Sequence, residues 1–154
     1  YINSVTGRNM LLWEGACHVH EQFSLDKLIE LKKQFPNAKT LVHPECKQQI
    51  VNLADVVGST QALLNYATNS QDDTFIVATE SGILHEMKKQ NPNKTFIPLP
   101  TDNNNKCNEC NYMRMNTLEK LYQCLLNETN EIIVDENISK KAIKSINRML
   151  EMSK

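Results

Sequence analysis

The residues best suited to chemistry are two pairs of potential metal ligands. Cys17 lies three residues before His20, and Cys107 and Cys110 form a C-x-x-C pair. Five cysteines, an odd number without the pattern of a small secreted domain, indicate a reducing compartment, where clustered thiols favour metal or redox chemistry over structural disulfides. The two pairs together could hold zinc in a tetrahedral site. Alternatively, the C-x-x-C pair is a redox pair or simply two loop thiols.

A second candidate is the segment His43-Pro44-Glu45, in which an imidazole and a carboxylate lie two residues apart. In an extended chain, side chains two residues apart point in the same direction. The histidine and the glutamate could then transfer protons to and from a small substrate. The alternative is a solvated strand end without a chemical role.

A third candidate is Gly58-Ser59-Thr60, directly before a predicted helix. Backbone amides, hydroxyls and the positive end of a helix dipole together bind phosphate or carboxylate well. Ser59 or Thr60 could equally be only the N-cap of that helix. Thr79 and Glu80 leave a similar choice between lining a site and capping a helix.

Apolar runs and helical patterns predict the elements that position these residues. Buried strands are predicted at 10–13, 40–42, 55–57 and 74–78. Helices are predicted after the strands, beginning at Ser24, at Lys47, at Ser59 or Thr60, and before Ile83. Four strand–helix units in succession predict an α/β fold of three layers, α/β/α, with a parallel sheet in the middle.

In such a sheet, ligands bind beyond the carboxyl ends of the strands. The candidate residues all follow predicted strands: Cys17 and His20, then 43–45, 58–60 and 79–80. Because independent segments supply them, their meeting at one edge of the sheet is the strongest physical indication of a site.

The chain changes character after the fourth predicted strand. Residues 98–111 are mostly polar, and they contain the C-x-x-C pair. Beyond them, the pattern predicts a helix at 116–126, a brief strand at 132–134 and a closing helix from about Glu136. The predicted division is an α/β domain at 1–100 and a region at 101–154 with the C-x-x-C loop and the C-terminal helices.

Charge and hydropathy argue against two classes of partner. The formal net charge is -1, and no stripe of lysine and arginine alternates with aromatics, so nucleic acid is not expected. No apolar run approaches the roughly 20 residues of a membrane span, and no secretory signal opens the chain, so a cytoplasmic protein is expected. The first residue is Tyr1 rather than methionine, which predicts processing or truncation.

Together, these segments resemble quinolinate synthase across nearly the whole chain. The matching blocks are Trp13–His20 (WEGACHVH), Val42–Glu45 (VHPE), Ala54–Thr60 (ADVVGST), Ala78–Ile83 (ATESGI), Cys110–Met113 (CNYM) with Asn116–Leu118 (NTL), and Asn147–Leu150 (NRML). Blocks in the same order at compatible spacing are not expected by accident.

The resemblance implies an enzyme that condenses iminoaspartate with dihydroxyacetone phosphate, giving quinolinate on the route to NAD. It also implies a pseudo-threefold arrangement of three α/β domains, each lending one cysteine to a [4Fe–4S] cluster. Cys17 and Cys110 match two of these ligands, and the third lies upstream in the family. The chain is therefore expected to be inactive alone, with its C-terminal helices packing on a missing N-terminal part.

Three thiolates leave one iron open to bind and polarise a substrate oxygen, so the cluster is expected to act as a Lewis acid. The resemblance implies six substrate-binding positions: His20, His43, Pro44, Glu45, Ser59 and Thr60. Within this set, Glu45 is expected to transfer protons, and the two histidines are expected to hold the anionic substrate.

Two alternatives stay open at this point. Cys107 could form a reversible disulfide with Cys110, which would withdraw a cluster ligand under oxidation. The chain could also be a zinc-stabilised α/β module that binds a ligand without catalysis, with Cys17, His20 and the C-x-x-C pair as ligands.

Overall fold

The computed structural model describes residues 1–102 and 108–153. The chain divides into two compact units, Tyr1–Arg114 and Met115–Lys154. The first unit is built around a four-stranded sheet in which all strands are parallel. Its strands are β1 (Lys39–Val42), β2 (Val56–Val57), β3 (Thr74–Ala78) and β4 (Thr95–Pro98), and their order across the sheet is β2-β1-β3-β4.

Helices precede, connect and follow the strands of the first unit. They are α1 (Ile2–Thr6), a single 3₁₀ turn (His20–Gln22), α2 (Leu25–Gln34), α3 (Gln48–Val51), α4 (Thr60–Asn69), α5 (Ile83–Gln90) and α6 (Asn111–Arg114). The predicted caps are confirmed, because the hydroxyl of Ser24 accepts a hydrogen bond in the first turn of α2 and that of Ser59 does so in α4. Such caps satisfy amides that the first turn of a helix leaves without a partner.

The sheet is buried on both faces. Successive residues of a strand point to opposite faces, and here they enter different apolar clusters. Val42 and Ile76 pack with side chains of α2 and α3, whereas Leu41 and Val77 pack with side chains of α4 and α5. Helices therefore cover both faces, and the predicted three-layer α/β fold is confirmed.

The predicted strand at residues 10–13 is wrong. This segment is irregular, and Leu12 and Trp13 are 70% and 91% exposed. The backbone N–H and C=O of Met10 bond to the side chain of Asn3 instead of to a neighbouring strand. An apolar run becomes a strand only where another strand accepts its backbone hydrogen bonds, and no described strand does so here.

The fourth strand is instead β4, where the sequence predicted no element. It lies at the edge of the sheet, pairs with β3 alone, and is only four residues long. It ends at Pro98, whose ring nitrogen cannot donate to a ladder of hydrogen bonds. A short edge strand of this kind shows little alternation of apolar and polar residues, so the sequence does not reveal it.

The second unit contains two helices, α7 (Leu118–Asn127) and α8 (Glu136–Met152). Both were predicted, and both are capped by side chains, Thr117 in α7 and Asp135 in α8. The predicted strand at 132–134 is wrong, since these residues are irregular and exposed. None of the described side chains of α7 and α8 is buried, although α8 carries an apolar stripe.

Among the described residues, every helix is too short or too polar to cross a lipid bilayer. The predicted domain division at residue 100 and the pseudo-threefold arrangement stay predictions.

Candidate active site and metal centre

Two histidine rings lie stacked at the carboxyl edge of the sheet. His20, in the 3₁₀ turn, and His43, directly after β1, have ring centroids 4.3 Å apart and planes 17° from parallel. The carboxylate of Glu45 joins them, with Oε2 3.3 Å from His20 Nδ1 and 4.0 Å from His43 Nδ1. The fold therefore brings together three candidate residues from two separate segments.

His20 is the most enclosed member of this group, with 6% of its surface exposed. Its Nε2 lies 3.2 Å from the hydroxyl of Thr79, at the end of β3. Its Nδ1 faces Glu45, but no well-aligned hydrogen bond reaches this buried nitrogen from the described residues. Burial lowers the pKa of His20, His43 lowers it further, and Glu45 works in the opposite direction. The neutral imidazole, which is the form that binds metals, is therefore favoured.

His43 and Glu45 are joined by a turn. The extended conformation that the sequence suggested for residues 43–45 is therefore wrong. The N–H of Cys46 donates to the carbonyl of His43 at 3.0 Å, which closes a four-residue turn with Pro44 in its second position. Within the turn, the N–H of Glu45 donates to His43 Nδ1 at 3.3 Å. In the neutral ring the proton then resides on Nε2.

Cys17 lies beside this group. The ligand atoms of Cys17, His20 and Glu45 all lie within 4.8 Å of one another, the one such set among the described residues. The thiol is half-buried. An open cleft of about 480 Å³ gives access to it, lined by Trp13, Gly15, Ala16, Cys17, Glu21 and Glu45.

The Cys110 segment is anchored to the same edge of the sheet by Glu80. The two carboxylate oxygens of Glu80 accept hydrogen bonds from the N–H groups of Cys110 (3.3 Å) and Gly82 (2.7 Å). The N–H of Ser81 donates to the carbonyl of Asn108 at 3.0 Å. Glu80 therefore holds the turn before α5 and also positions a predicted cluster ligand. The sequence left open whether Glu80 would line the site or cap a helix.

A ring contact links the two cysteine segments. His18, next to Cys17, lies edge-on to Tyr112, two residues after Cys110, with centroids 5.2 Å apart. Together with Glu80, this contact places both half-buried thiols near the carboxyl edge of the sheet. Thiolates are the usual ligands of iron–sulfur clusters, so the donors present fit two of the three predicted ligands.

The structure places the remaining predicted positions at the same edge, although with fewer contacts. The N–H of Gly58 donates to the carbonyl of Val42 at 3.1 Å, so the segment before α4 starts next to His43. Ser59 is exposed and caps α4, and Thr60 is the first residue of that helix. Their predicted role in substrate binding stays a prediction.

Cys107 and Cys46 are the next two cysteines to consider. Cys107 lies outside the described residues, and so do the predicted disulfide and the four-ligand zinc site. Cys46 is buried, and burial raises the pKa of its thiol to about 12. Its Sγ donates to the carbonyl of Ala78 at 3.5 Å. The buried thiol with its raised pKa is therefore expected to be unreactive.

The fold and the site define an α/β protein with thiol, imidazole and carboxylate groups gathered at the carboxyl edge of a parallel sheet. The model of one family, described as quinolinate synthetase A protein (NadA), matches residues 1–151. The chain belongs to this family.

Individual relatives agree with the family match. The chain is 55% identical over 153 residues to the quinolinate synthase of Microcystis aeruginosa and 53% identical over 153 residues to that of Synechocystis sp.. It is 52% identical over 155 residues to the quinolinate synthase of Chloroherpeton thalassium. These alignments cover 99–100% of the chain but 48% of each relative. The chain therefore spans about half the length of the curated relatives it matches.

Proposed function

We propose that the chain is part of a cytoplasmic quinolinate synthase, which condenses iminoaspartate with dihydroxyacetone phosphate in NAD biosynthesis. The observation that carries the proposal is the group formed by the stacked rings of His20 and His43 and the carboxylate of Glu45. It lies beside a half-buried thiol, at the edge where α/β sheets bind ligands. Membership of the family supports this choice of reaction.

Cys17 and Cys110 would hold two irons of a [4Fe–4S] cluster, and the third thiolate would come from the part that the relatives have in addition. When bound, such a cluster supplies a Lewis-acidic iron that polarises a substrate oxygen. The chain's own contribution is to hold both thiols in place. Glu80 fixes the backbone of Cys110, and the 3₁₀ turn that begins three residues after Cys17 contacts Thr79 through His20.

Glu45 is the residue that would transfer protons. Its carboxylate is 56% exposed and faces the cleft, and it also touches both imidazoles. A carboxylate in that position can reach a bound substrate and remain oriented by the histidines behind it. His20 and His43 would hold the anionic substrate. Pro44 would fix the turn between His43 and Glu45.

Ser59 and Thr60 would bind the phosphate of the second substrate. Amide groups in the first turn of α4 and the positive end of its dipole favour an anion there. The segment begins beside His43, so a phosphate at this helix would lie next to the proposed catalytic group.

The isolated chain would be inactive, because it spans about half of its relatives and lacks one proposed thiolate. The exposed apolar stripe of α8 would pack on the missing N-terminal part. Burial of side chains such as Ile138, Ile146 and Leu150 would stabilise that contact through the hydrophobic effect.

The test joins the chain to the N-terminal half of the Microcystis aeruginosa relative and measures quinolinate formation and the cluster's absorption spectrum. Glu45→Gln should keep the spectrum and abolish turnover, since it removes proton transfer but no cluster ligand. Cys17→Ser should lose both. The control Glu14→Gln, an exposed neighbour, should change neither. Retained turnover in Glu45→Gln would refute the role of Glu45.

A further inference from the structure

We propose that this chain binds a single thiophilic divalent cation, Zn²⁺ or Fe²⁺, through Cys17, His20 and Glu45. The site is distinct from the proposed cluster, which would use neither the histidine nor the glutamate as a ligand. The two share only Cys17, so cation and cluster exclude each other. The site requires neither the proposed activity nor the missing part of the enzyme.

The geometry of the three donors carries the proposal. Their ligand atoms lie within 4.8 Å of one another, and Glu45 Oε2 lies 3.3 Å from His20 Nδ1. Around a tetrahedral zinc, bonds of roughly 2.0–2.3 Å place neighbouring ligand atoms roughly 3.3–3.8 Å apart. Small side-chain rotations of Cys17 and Glu45 would therefore complete three corners of a tetrahedron. A set with one sulfur, one nitrogen and one oxygen favours Zn²⁺ or Fe²⁺ over Mg²⁺ or Ca²⁺.

The surroundings of His20 Nδ1 add to this geometry. This buried nitrogen makes no well-aligned hydrogen bond with the described residues, and its contact with the Glu45 carboxylate is 3.3 Å long. A buried polar atom whose hydrogen bonding is incomplete is costly, and a metal bond would satisfy it. The other nitrogen, Nε2, lies 3.2 Å from the hydroxyl of Thr79. A metal-binding histidine is usually oriented in this way, by a hydrogen bond from its second nitrogen.

The fourth coordination position would face the cleft beside Cys17 and Glu45. That cleft is open and has a volume of about 480 Å³, so water can reach the ion. Three protein ligands and one water is the arrangement of a zinc site with an open position, in contrast to a closed structural site with four protein ligands.

The first experiment titrates the metal-free, reduced chain with Co²⁺, which occupies zinc sites and gives a thiolate-to-cobalt charge-transfer band. We expect one equivalent to bind and Zn²⁺ to displace it. Cys17→Ser should lose the band. Cys110→Ser is the matched control, since its thiol is also half-buried, and it should keep the band. Loss of the band in Cys110→Ser, or its absence from the wild-type chain, would overturn the proposal.

Two further variants test the other ligands. Glu45→Gln should weaken Co²⁺ binding by at least about tenfold, and Thr79→Val should weaken it by about 10–100-fold through loss of the bond that orients His20. Thr79→Ser retains the hydroxyl and should restore affinity. Circular dichroism shows whether each variant is folded. X-ray absorption of the Zn²⁺-loaded wild-type chain should find one sulfur ligand. Two or more sulfur ligands would overturn the proposed site, and so would unchanged Co²⁺ affinity in Glu45→Gln.

Discussion

The ring of His20 lies nearly parallel to the ring of His43, at a centroid distance of 4.3 Å. Two imidazolium rings at this separation would repel each other, and His20 is also buried. Burial lowers the pKa of His20 and His43 lowers it further, while Glu45 opposes both effects. In the metal-free chain, protonation of His20 is therefore disfavoured.

Replacing His43 removes one of the two causes of this lowering. In His43→Asn, we expect the pKa of His20 to rise, because the lowering effect of His43 is removed while burial remains. NMR titration of the His20 ring in the metal-free chain measures this. His85→Asn, at an exposed position of α5, is the control. An unchanged pKa in His43→Asn would mean that the stacked ring has no electrostatic effect on His20.

The same lowering makes the stability of the fold depend on pH. Because the folded-state pKa of His20 lies below the unfolded value of about 6.5, the unfolded chain binds more protons as the pH falls below that value. The free energy of unfolding should then decrease by up to about 1.4 kcal/mol per pH unit, until the folded-state pKa is reached. Urea unfolding at several pH values measures the slope. In His43→Asn, the pH range over which the free energy of unfolding falls should be narrower than in the wild type. An equal pH range in both proteins would contradict the explanation.

Glu80 gives a prediction about the proposed ligand Cys110. Glu80→Ala removes both carboxylate bonds, to the N–H groups of Cys110 and Gly82. We expect a loss of about 1–2 kcal/mol in the free energy of unfolding, because each bond involves a charged acceptor near the surface. We also expect faster alkylation of Cys110 in the folded, metal-free chain, measured by mass spectrometry. Cys17 should react as before, and a parallel increase there would indicate general unfolding instead of a released segment.

The edge of the sheet where the site lies could be predicted from the sequence, but the contacts could not. Parallel strands put their carboxyl ends together, so residues after β1 and β3 had to meet there. Whether Thr79 and Glu80 line the site depends on which segment packs above them. His20 reaches Thr79 from 59 residues away, and Cys110 reaches Glu80 from 30. Local patterns carry no information about such distant contacts.

Element types follow from the sequence where an apolar pattern or a helix cap is clear. β3 is an uninterrupted apolar strand, and α2 has a serine cap, so both follow from the sequence. Residues 10–13 are as apolar as β3, yet they are exposed and irregular. Hydrophobicity alone does not show whether a strand partner exists. β4 was not predicted, because it is short and pairs with a strand on one side only.

Cys46 should behave differently from the other described thiols of the first unit. It is buried and its pKa is raised to about 12 by burial, whereas Cys17 and Cys110 are half-buried. In the folded chain at neutral pH, iodoacetamide should modify Cys46 at least about 100-fold more slowly than the other two, because it attacks the thiolate. Peptide mass spectrometry after timed quenching measures the rates. In urea all three should react alike, and early modification of Cys46 without urea would contradict the buried position.

Asp55 holds the start of β1 against the segment before β2. Its Oδ2 accepts the N–H of Thr40 at 2.8 Å and lies 3.4 Å from Lys32 Nζ, while its own N–H donates to the Thr40 carbonyl at 2.9 Å. Burial works to raise the pKa of Asp55, but the bond from Thr40 and the charge of Lys32 outweigh it, so the pKa is lowered. The folded state therefore prefers the carboxylate.

Asp55→Asn should lower the free energy of unfolding by about 1 kcal/mol at neutral pH, a modest value because both charged side chains are about one-third exposed. This contribution is present above the unfolded pKa of about 3.9 and is lost as the pH falls through the lower folded value. Urea unfolding should therefore show that Asp55→Asn is less stable than the wild type at pH about 7. The free energies of unfolding of the two proteins should converge at strongly acidic pH. Glu14→Gln, an exposed control, should match the wild type throughout. A constant difference between Asp55→Asn and the wild type at every pH would assign the loss to packing and not to charge.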